Sequence, residues 1–580
     1  MKKIQSLALA LFATLSLASC SNEEPAGGQD TSNGETRYLS VNIVPTSADG
    51  SRAATEDLFE NGTEKENTVT KVRFYFFTSG GDAAKVKYDG GTYKNYYDWT
   101  NTDEDKKTET SKPDGSNVEK VLNPVIVIST PAGDKLPDMV LAVINPDDAG
   151  LDMTTNYTLT ALRNIYKDYA TSANADKFVM SNSVYASGTE VIKATKLQLS
   201  DFKKTEVEAK GSPVDIYVER CVAKVRASYN TALKFENGLL PALNNSEEKK
   251  PITIHGEGEE DIPVYIKIEG WNLTYYMPAA NLSKHIVSSW SGDILGSKNW
   301  NDSKNFRSYW ADQNSINNQK HRNISWNAAK ALGFGTNGTK KNTTYANENA
   351  ERNSDSGLEP TQIMVAATLC KKDGTPLNVC HYAGLKFADD ESFTNLKSMF
   401  LSLLNESTNK FYQKIVKTEG EVIKTTYKKI EAADITFKQN KDAEKDMYTA
   451  SAVLTEDAEK YTWVTSTAST AAEITNDNQV TPSDKDAVNA ALKGLTPATA
   501  LIYKNGATYY FAPIDHYSKH GIVRNHIYNI TVDGFYGLGT PVYDPDWNII
   551  LEKPKSDAAY LAARINILSW HLINNNITFN

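Results

Sequence analysis

Residues 69–77 read VTKVRFYFF, and this stretch decides the fold class. Its side chains Val72, Phe74 and Phe76 stand at every second position, which is the spacing of a β-strand with a buried face. Most of the remaining residues are β-branched or aromatic, as is usual in strands. The stretch therefore predicts a β-strand, and it favours an all-β fold.

Stretches of the same kind lie on both sides of it. They cover residues 38–44, 124–129, 139–144, 178–185, 214–227, 262–277, 363–369, 377–381, 501–511, 522–532 and 547–551. Two of them flank the turn pair Asp373-Gly374, so we expect 363–369 and 377–381 to form a hairpin. Helical spacing occurs at 393–404, where Ser392 is available as the N-cap. The prediction is an all-β fold with minor α content.

The first 20 residues have the organisation of an export signal. Lys2 and Lys3 form a basic start, residues 7–17 are apolar, and the sequence LASC occupies positions 17–20. The apolar run is too short to remain in a bilayer about 30 Å thick as a spanning helix. Small residues before a cysteine resemble a bacterial lipobox, so we expect lipidation of Cys20. The alternative is an ordinary signal peptide with a chance cysteine.

The first strand after this segment is followed by a loop that a protease could cut. Residues 38–44 predict a strand that Pro45 ends, and residues 46–54 read TSADGSRAA. This loop consists mostly of small residues and contains one basic residue, Arg52. Exposed loops of this kind are preferred sites of proteolysis.

Composition argues against several classes of function. The 580-residue chain has a net charge of −10, which is unsuited to neutralising nucleic-acid phosphates and would repel an anionic membrane surface. The motifs of serine hydrolases, zinc proteases, P-loop enzymes and dinucleotide-binding folds do not occur in it. We therefore expect no catalytic residues, no cofactor and no nucleic-acid partner.

The cysteines do not suggest a disulfide framework. With Cys20 lipidated, three remain: Cys221, Cys370 and Cys380. A turn at Asp373-Gly374 would place Cys370 opposite about Leu377 and not opposite Cys380, so a bridge between them is possible but not favoured. We expect small, buried thiols on strands.

Three histidines, His516, His520 and His526, lie close together in the sequence. No cysteine or carboxylate cluster accompanies them, so we expect turn or surface histidines and no metal.

The Asn-rich residues 288–358 contain the isolated tryptophans Trp290, Trp300, Trp310 and Trp326. We expect these side chains to be buried and to hold the segment against the domain; the alternative is an exposed platform that stacks on sugars.

The end of the chain is the other informative segment. Leu561, Ala563, Ile565 and Ile567 follow a strict period of two, and after a change of phase Trp570 and Leu572 continue at even positions. A strand this apolar must be buried, because an exposed one would pair with other chains.

Several short motifs are shared with one protein family. They are the Cys20 lipobox with an acidic tether, KVRFYF at 71–76, GWNL at 270–273, RSYWA at 307–311, Tyr345 with Glu348-Asn349, GIVRNHIY at 521–528, and the terminal strand. Taken in this order, they resemble the fimbrillins of Bacteroides-type bacteria, specifically the Mfa-type major fimbrial subunits. The resemblance covers nearly all of the chain and implies two transthyretin-like β-sandwich domains in tandem with a C-terminal donor strand.

The same resemblance implies a domain organisation. It comprises a signal peptide (1–19), a lipidated tether with a cleavable first strand (20–52), an N-terminal sandwich (53–225), a C-terminal sandwich (226–552, with the insert 288–358), and a strand for exchange between subunits (553–580).

It further implies assembly by strand exchange. The lipidated precursor would reach the outer membrane, and an arginine-specific protease would cut at Arg52-Ala53. The C-terminal strand of another copy would then fill the groove left by the first strand, forming an extracellular fimbrium. A cut at Arg37 would instead leave the strand attached. The expected partners are other copies, accessory fimbrial subunits, the maturation protease, and the membrane through the lipid on Cys20.

Two other functions remain open at this point. A fimbrial tip or accessory adhesin would need no donor strand. A surface glycan-binding lipoprotein would keep its tryptophans in solvent and pack the terminal strand within its own domain.

Overall fold

The computed structural model describes residues 36–45, 60, 62–102, 122–187, 190–256, 260–286, 322–335, 342–350, 360–440, 448–516, 519–548, 560–568 and 573–575. Strands dominate these ranges and the helices are short, so the predicted all-β fold with minor α content is confirmed. No helix within the ranges is long and apolar enough to cross a membrane.

The strands before residue 230 are β1 (Thr36–Pro45), β2 (Lys71–Phe77), β3 (Lys87–Asp89), β4 (Thr92–Lys94), β5 (Tyr96–Thr100), β6 (Val125–Ser129), β7 (Met139–Ile144), β8 (Tyr166–Lys167), β9 (Met180–Asn182), β10 (Tyr185–Ser187), β11 (Glu190–Ile192), β12 (Thr195–Lys196), β13 (Val214–Arg220) and β14 (Ala223–Tyr229). The helices are α1 (Leu159–Arg163), α2 (Tyr169–Asn174), α3 (Glu206–Lys210), α4 (Trp326–Ala329), α5 (Thr394–Asn405) and α6 (Lys485–Lys493).

The later strands are β15 (Leu239–Pro241), β16 (Thr253–His255), β17 (Asp261–Pro263), β18 (Tyr265–Thr274), β19 (Ala280–Asn281), β20 (Thr343–Ala346), β21 (Asn349–Ala350), β22 (Gln362–Cys370), β23 (Asn378–Tyr382), β24 (Leu385–Asp389), β25 (Lys410–Glu419), β26 (Val422–Lys429), β27 (Ile435–Gln439), β28 (Thr449–Leu454), β29 (Thr462–Ser466), β30 (Thr481–Pro482), β31 (Thr499–Tyr503), β32 (Ala507–Pro513), β33 (Asp515–His516), β34 (Lys519–Ile522), β35 (Ile527–Tyr536), β36 (Thr540–Pro541), β37 (Tyr560–Leu568) and β38 (Ile573–Asn575).

The first hydrophobic core is built on the sheet β5-β2-β7-β9-β13-β1-β6. The stretch 71–77 forms β2, which pairs antiparallel with β5 on one side and β7 on the other. Because this strand is central, Tyr75 and Phe77 are buried along with Val72, Phe74 and Phe76. The core draws mainly on residues 39–222 and includes Ala280 and Leu282.

The second core lies between two five-stranded sheets, β15-β18-β22-β32-β36 and β20-β14-β35-β37-β38. It begins at Ala223, directly after Val222 of the first core, and extends to Leu538. The strand β22 is buried along its whole length, since β18 and β32 flank it on both sides.

A third core packs helices α5 and α6 on the sheet β17-β16-β24-β23-β31-β28-β27. The expected helix at 393–404 is observed as α5, but Ser392 as its N-cap is wrong. Phe393 occupies the cap position with a φ of 55°. The carboxylates of Asp389 and Asp390 accept hydrogen bonds from the first backbone N–H groups of the helix instead, at 2.8–3.1 Å.

The hairpin predicted from 363–369 and 377–381 is also wrong. These residues fall in β22 and β23, which belong to different sheets and meet at an isolated bridge between Cys370 and Pro376. Each strand has stronger partners elsewhere in the chain, so the turn at Asp373-Gly374 links two sheets. Cys221, Cys370 and Cys380 are free and buried, as the sequence favoured.

Candidate strand-exchange site

Strand β1 changes partner halfway along its length. Residues Thr36–Ser40 pair antiparallel with β6, and Val41–Pro45 pair parallel with β13. Tyr38 also exchanges two backbone hydrogen bonds of 2.8 Å with Lys203. The strand thus joins two sheet edges that have no ladder with each other in the described topology, and its removal would leave both edges open.

The side chains of β1 form part of the first core. Leu39 and Val41 are fully buried, and the neighbouring Ile126 and Ile128 of β6 are fully buried as well. Arg37 is half-buried and lies opposite Ile128 in the antiparallel ladder. A protease needs an extended, accessible backbone, so this pairing disfavours a cut at Arg37.

The predicted processing and lipidation residues lie outside the part of the chain that the structure describes. Cys20, Arg52 and Ala53 all belong to this group. The described chain stops at Pro45 and resumes at Glu60. Arg52 therefore lies in the sequence between β1 and Glu60, a residue at which the described chain is held.

Glu60 forms an ion pair with Arg226, a residue of β14 beside the second core. The carboxylate of Glu60 accepts two hydrogen bonds from Arg226 of β14, at 2.7 and 2.8 Å. The third donor of Arg226, Nε, binds the amide oxygen of Asn529 on β35 at 2.7 Å. Such two-point contacts fix geometry as well as charge. The chain after the predicted cut is thus held on β14 and β35 independently of β1.

A second anchor lies six residues further on. Glu66 and Lys224 form a buried ion pair with a separation of 2.8 Å. The hydroxyl of Tyr345 donates to the same carboxylate oxygen. Burial raises the pKa of Glu66, but the hydrogen bonds from Lys224 and Tyr345 outweigh it, so the net pKa lies below the ordinary value. Sequence analysis missed Glu60 and Glu66, because a single carboxylate in a polar loop carries no pattern.

The terminal strand β37 pairs with β35 of its own chain. The ladder runs antiparallel from Tyr560–Tyr536 to Leu568–Ile527, with an irregularity between Val532 and Gly534. The predicted donor residues Leu561, Ala563, Ile565 and Ile567 all lie on this strand. They register with four buried residues of β35, namely Phe535, Val532, Ile530 and Tyr528. Trp570 and Leu572 lie outside the described residues.

One continuous segment connects the two ends of this arrangement. Residues 214–229 form β13, which pairs with β1, and then β14, which pairs parallel with β35. The strand β37 adds to the far side of β35. β1 thus lies directly beside the first part of this segment, whereas β37 is separated from its second part by β35.

The motif at 521–528 contains a buried polar cluster around Arg524, which we call the Arg524 joint. The guanidinium of Arg524 donates to Glu348 at 2.9 Å and to the backbone oxygens of Asn281 and Leu282 at 2.6 and 2.9 Å. The expectation of turn or surface histidines is wrong for His516 and His526, which are buried beside it. Their rings lie 5.1 Å apart, and His516 is hydrogen bonded to the Tyr528 hydroxyl at 3.0 Å.

Two further expectations from the sequence concern a metal site and the tryptophans of the insert. Across the described ranges, no group of three or more His, Cys, Asp or Glu side chains is placed to hold a metal. Of the four tryptophans in the insert, Trp326 is described; it begins α4 and donates from Nε1 to the Thr508 oxygen at 2.7 Å. This side chain is packed on the sheet and does not form an open platform.

The fold and the site define an all-β protein whose first described strand closes one core and whose last strands extend the sheet of another. No protein-family model and no curated protein matches the chain. Among solved structures, it is similar to a fimbrilin from Porphyromonas gingivalis W83, with 12% identity, a TM-score of 0.34, and coverage of 92% of this chain and 97% of that one.

Two further solved structures are similar over a smaller share of this chain. A fimbrial assembly protein from Parabacteroides distasonis ATCC 8503 has 11% identity, a TM-score of 0.26, and coverage of 68% of this chain and 96% of that one. A tip fimbrial protein from Porphyromonas gingivalis with a C-terminal truncation has 11% identity, a TM-score of 0.24, and coverage of 68% and 98%.

Proposed function

We propose that this chain is a structural subunit of a cell-surface fimbria. In this proposal it is exported as a lipoprotein and polymerised by donor-strand exchange after proteolysis removes its first strand. The observation that carries the proposal is the position of β1: it contributes Leu39 and Val41 to a core, joins two sheet edges, and precedes Arg52 in the sequence. A strand with these three properties can be removed by one cut and leaves a groove of its own shape.

Maturation needs a lipid and one cut. The lipid on Cys20 holds the precursor at the outer membrane, and cleavage between Arg52 and Ala53 separates it from the rest of the chain. The anchors at Glu60 and Glu66 hold the new N-terminus against β14 after the cut. Cleavage at this loop therefore releases β1 without loosening the second core.

Removing β1 costs the first core both apolar contacts and hydrogen bonds. Burying a leucine or valine stabilises a fold by about 1.5–3 kcal/mol. Each backbone hydrogen bond of a ladder contributes about 1 kcal/mol net. An incoming strand that restores these contacts is bound by β-augmentation, in which main-chain hydrogen bonds give affinity and alternate side chains give specificity.

The terminal strand has suitable length and pattern for that role. β37 covers nine residues and β1 covers ten. The alternation of Leu561, Ala563, Ile565 and Ile567 has the same period as that of Leu39, Val41 and Ile43. In the isolated chain β37 is paired with β35, so exchange requires it to leave that strand. Head-to-tail contacts of this kind do not close on themselves and produce a filament.

A tip or accessory adhesin is the second candidate function. It would accept a strand without donating one. The apolar sequence of β37 favours a shaft subunit, because a chain that never donates a strand has no need of an apolar strand near its C-terminus. The pairing of β37 with β35 of the same chain does not favour it, since that is the arrangement expected of a glycan-binding lipoprotein.

Limited proteolysis with an arginine-specific protease tests the proposal. The purified chain is treated, its new N-terminus is sequenced, and the products are examined on SDS gels and by electron microscopy. We expect a new N-terminus at Ala53 and SDS-resistant ladders or filaments. Arg52→Gln should prevent both, whereas the matched variant Arg37→Gln should change neither.

Deletion of residues 556–580 separates cleavage from assembly. The truncated chain should still be cut at Ala53 but should form no filaments. A cut protein that stays monomeric with its C-terminus intact would refute strand exchange. Filaments that persist in the truncated chain would refute the role of β37 as donor.

A further inference from the structure

A cleft of about 580 Å³ lies beside the first core. Its walls are the loop at Gly80-Gly81, helix α1 and the segment Glu190–Lys196. Binding sites for small molecules have volumes of about 300–1,000 Å³, so the cleft can hold a ligand the size of one or two sugars. Leu159 and Ile192 give it apolar flanks.

The cleft is lined by a buried cation, Arg163. This residue is 9% exposed. It donates from Nε to the Ser283 hydroxyl at 3.3 Å and from one terminal nitrogen to the Lys284 backbone oxygen at 2.9 Å. Both acceptors are neutral. Within the described ranges, no carboxylate forms an ion pair with this guanidinium.

The nearby buried charges do not compensate it. Lys284 pairs with Glu219 at 3.6 Å, and Arg524 pairs with Glu348. Arg163 is therefore the excess positive charge of this group. Burial lowers its pKa to about 10, which reflects the cost of holding a cation without a counter-ion.

The rim of the cleft adds to the positive potential. Lys193 is exposed there, and Lys196 is paired with Glu190 at 3.2 Å. A guanidinium presents parallel N–H groups that match a planar carboxylate. The remaining terminal nitrogen of Arg163 has no hydrogen bond within the described chain.

We propose that this cleft binds the carboxylate group of an acidic sugar, with Arg163 as its charge partner and Lys193 at the entrance. Ser79, Thr160 and Glu190 line the same cleft. Together they supply the donors and acceptors that sugar hydroxyls need. An acidic peptide would bring further negative charge against Glu190, and like charges across an interface disfavour binding.

The test is a titration of the purified, uncut chain, followed by saturation-transfer NMR. The probes are N-acetylneuraminic acid, its neutral counterpart N-acetylmannosamine, and N-acetylglutamate. We expect the acidic sugar to bind and the neutral sugar to bind at least about tenfold more weakly, as expected for the loss of one charge-assisted contact. Arg163→Gln should weaken binding of the acidic sugar to a similar degree.

Two further variants keep the test decisive if Arg163→Gln does not fold. Lys193→Glu reverses a charge on the exposed rim and should also weaken binding. Arg322→Gln removes an exposed arginine that does not line the cleft and should change nothing.

Three results would overturn the proposal: no binding of the acidic sugar, equal binding by a folded Arg163→Gln or Lys193→Glu variant, or tighter binding of N-acetylglutamate. The last would identify an acidic side chain of a protein partner. Because the uncut chain is used, none of these outcomes depends on whether the protein polymerises.

Discussion

Replacing Leu39 by alanine should weaken the uncut protein and leave the assembled filament unchanged. Leu39 is fully buried in the first core, which also contains its cross-strand partner Ile126. Truncating a core leucine to alanine costs about 2–5 kcal/mol, because transfer energy is lost and a cavity remains. The free energy of unfolding of the precursor should fall by that amount. Strand exchange removes β1, so the stability of the filament should not be changed by Leu39→Ala.

The matched control is Ile126→Val on β6, a strand that stays in the mature subunit. It should cost about 0.5–1.5 kcal/mol in both the precursor and the filament. Urea unfolding measures the precursor, and the urea midpoint for dissociation of the SDS-resistant ladder measures the filament. If Leu39→Ala lowers the ladder midpoint as much as it lowers precursor stability, β1 is retained after assembly and the proposed mechanism is wrong.

Three other predictions concern the fold itself. Glu66→Gln should destabilise the protein by about 3–5 kcal/mol at neutral pH, because it removes the carboxylate from a buried ion pair with Lys224. The folded pKa of Glu66 lies below its ordinary value of 4.5, so the contribution is present above that value and is lost as the pH falls through the folded pKa; unfolding curves of the two proteins should converge in acid. Gly506→Ala should be strongly destabilising, since φ is +71° and a Cβ would lie 2.1 Å from the Leu369 oxygen, whereas Gly420→Ala, with φ +65° and open space around it, should cost about 1–2 kcal/mol by thermal unfolding. Burial raises the pKa of the three described thiols, so a thiol reagent at about pH 8 should label them only after unfolding, and rapid labelling of the native protein would contradict their placement. These thiols are Cys221, Cys370 and Cys380.

The strands were predictable where local pattern and final environment agree. The alternation in 69–77 identifies β2, although it does not show that both of its faces are buried. The burial of Arg73 depends on Asp98, which binds it at 2.6 and 2.7 Å from the neighbouring strand. A charged residue in an apolar strand gives no indication of such a partner. The sequence pattern therefore locates the strand but not its position in the sheet.

The failures have a common physical cause, which is competition from distant partners. The turn at Asp373-Gly374 is locally suited to a hairpin, but β22 gains a longer ladder with β32 than it could form with β23. Similarly, Ser392 lost the N-cap position because two aspartates just before it supply better acceptors for the helix. His526 is buried because its ring bonds a backbone oxygen of the Arg524 joint, and the partners of that joint lie far away in sequence.

For the candidate site, residues 38–44 were predicted as a strand and β1 is observed at Thr36–Pro45. Its change of partner from β6 to β13 could not be predicted, because the two partners lie about 90 and 170 residues away and no local pattern specifies them. The terminal strand was predicted from its alternation alone, and its pairing with β35 required the structure.

The parallel pairing of β1 with β13 has a mechanical meaning for a fibre built as proposed. When a strand in the place of β1 is pulled along its own axis, its ladder hydrogen bonds are loaded together and are not broken one after another. The segment 214–229 continues from that ladder into the next sheet, where β14 runs parallel to β35. Tension would thus pass from one sheet to the next through a covalent backbone, and the fibre would resist fluid drag better than its equilibrium binding energy alone indicates.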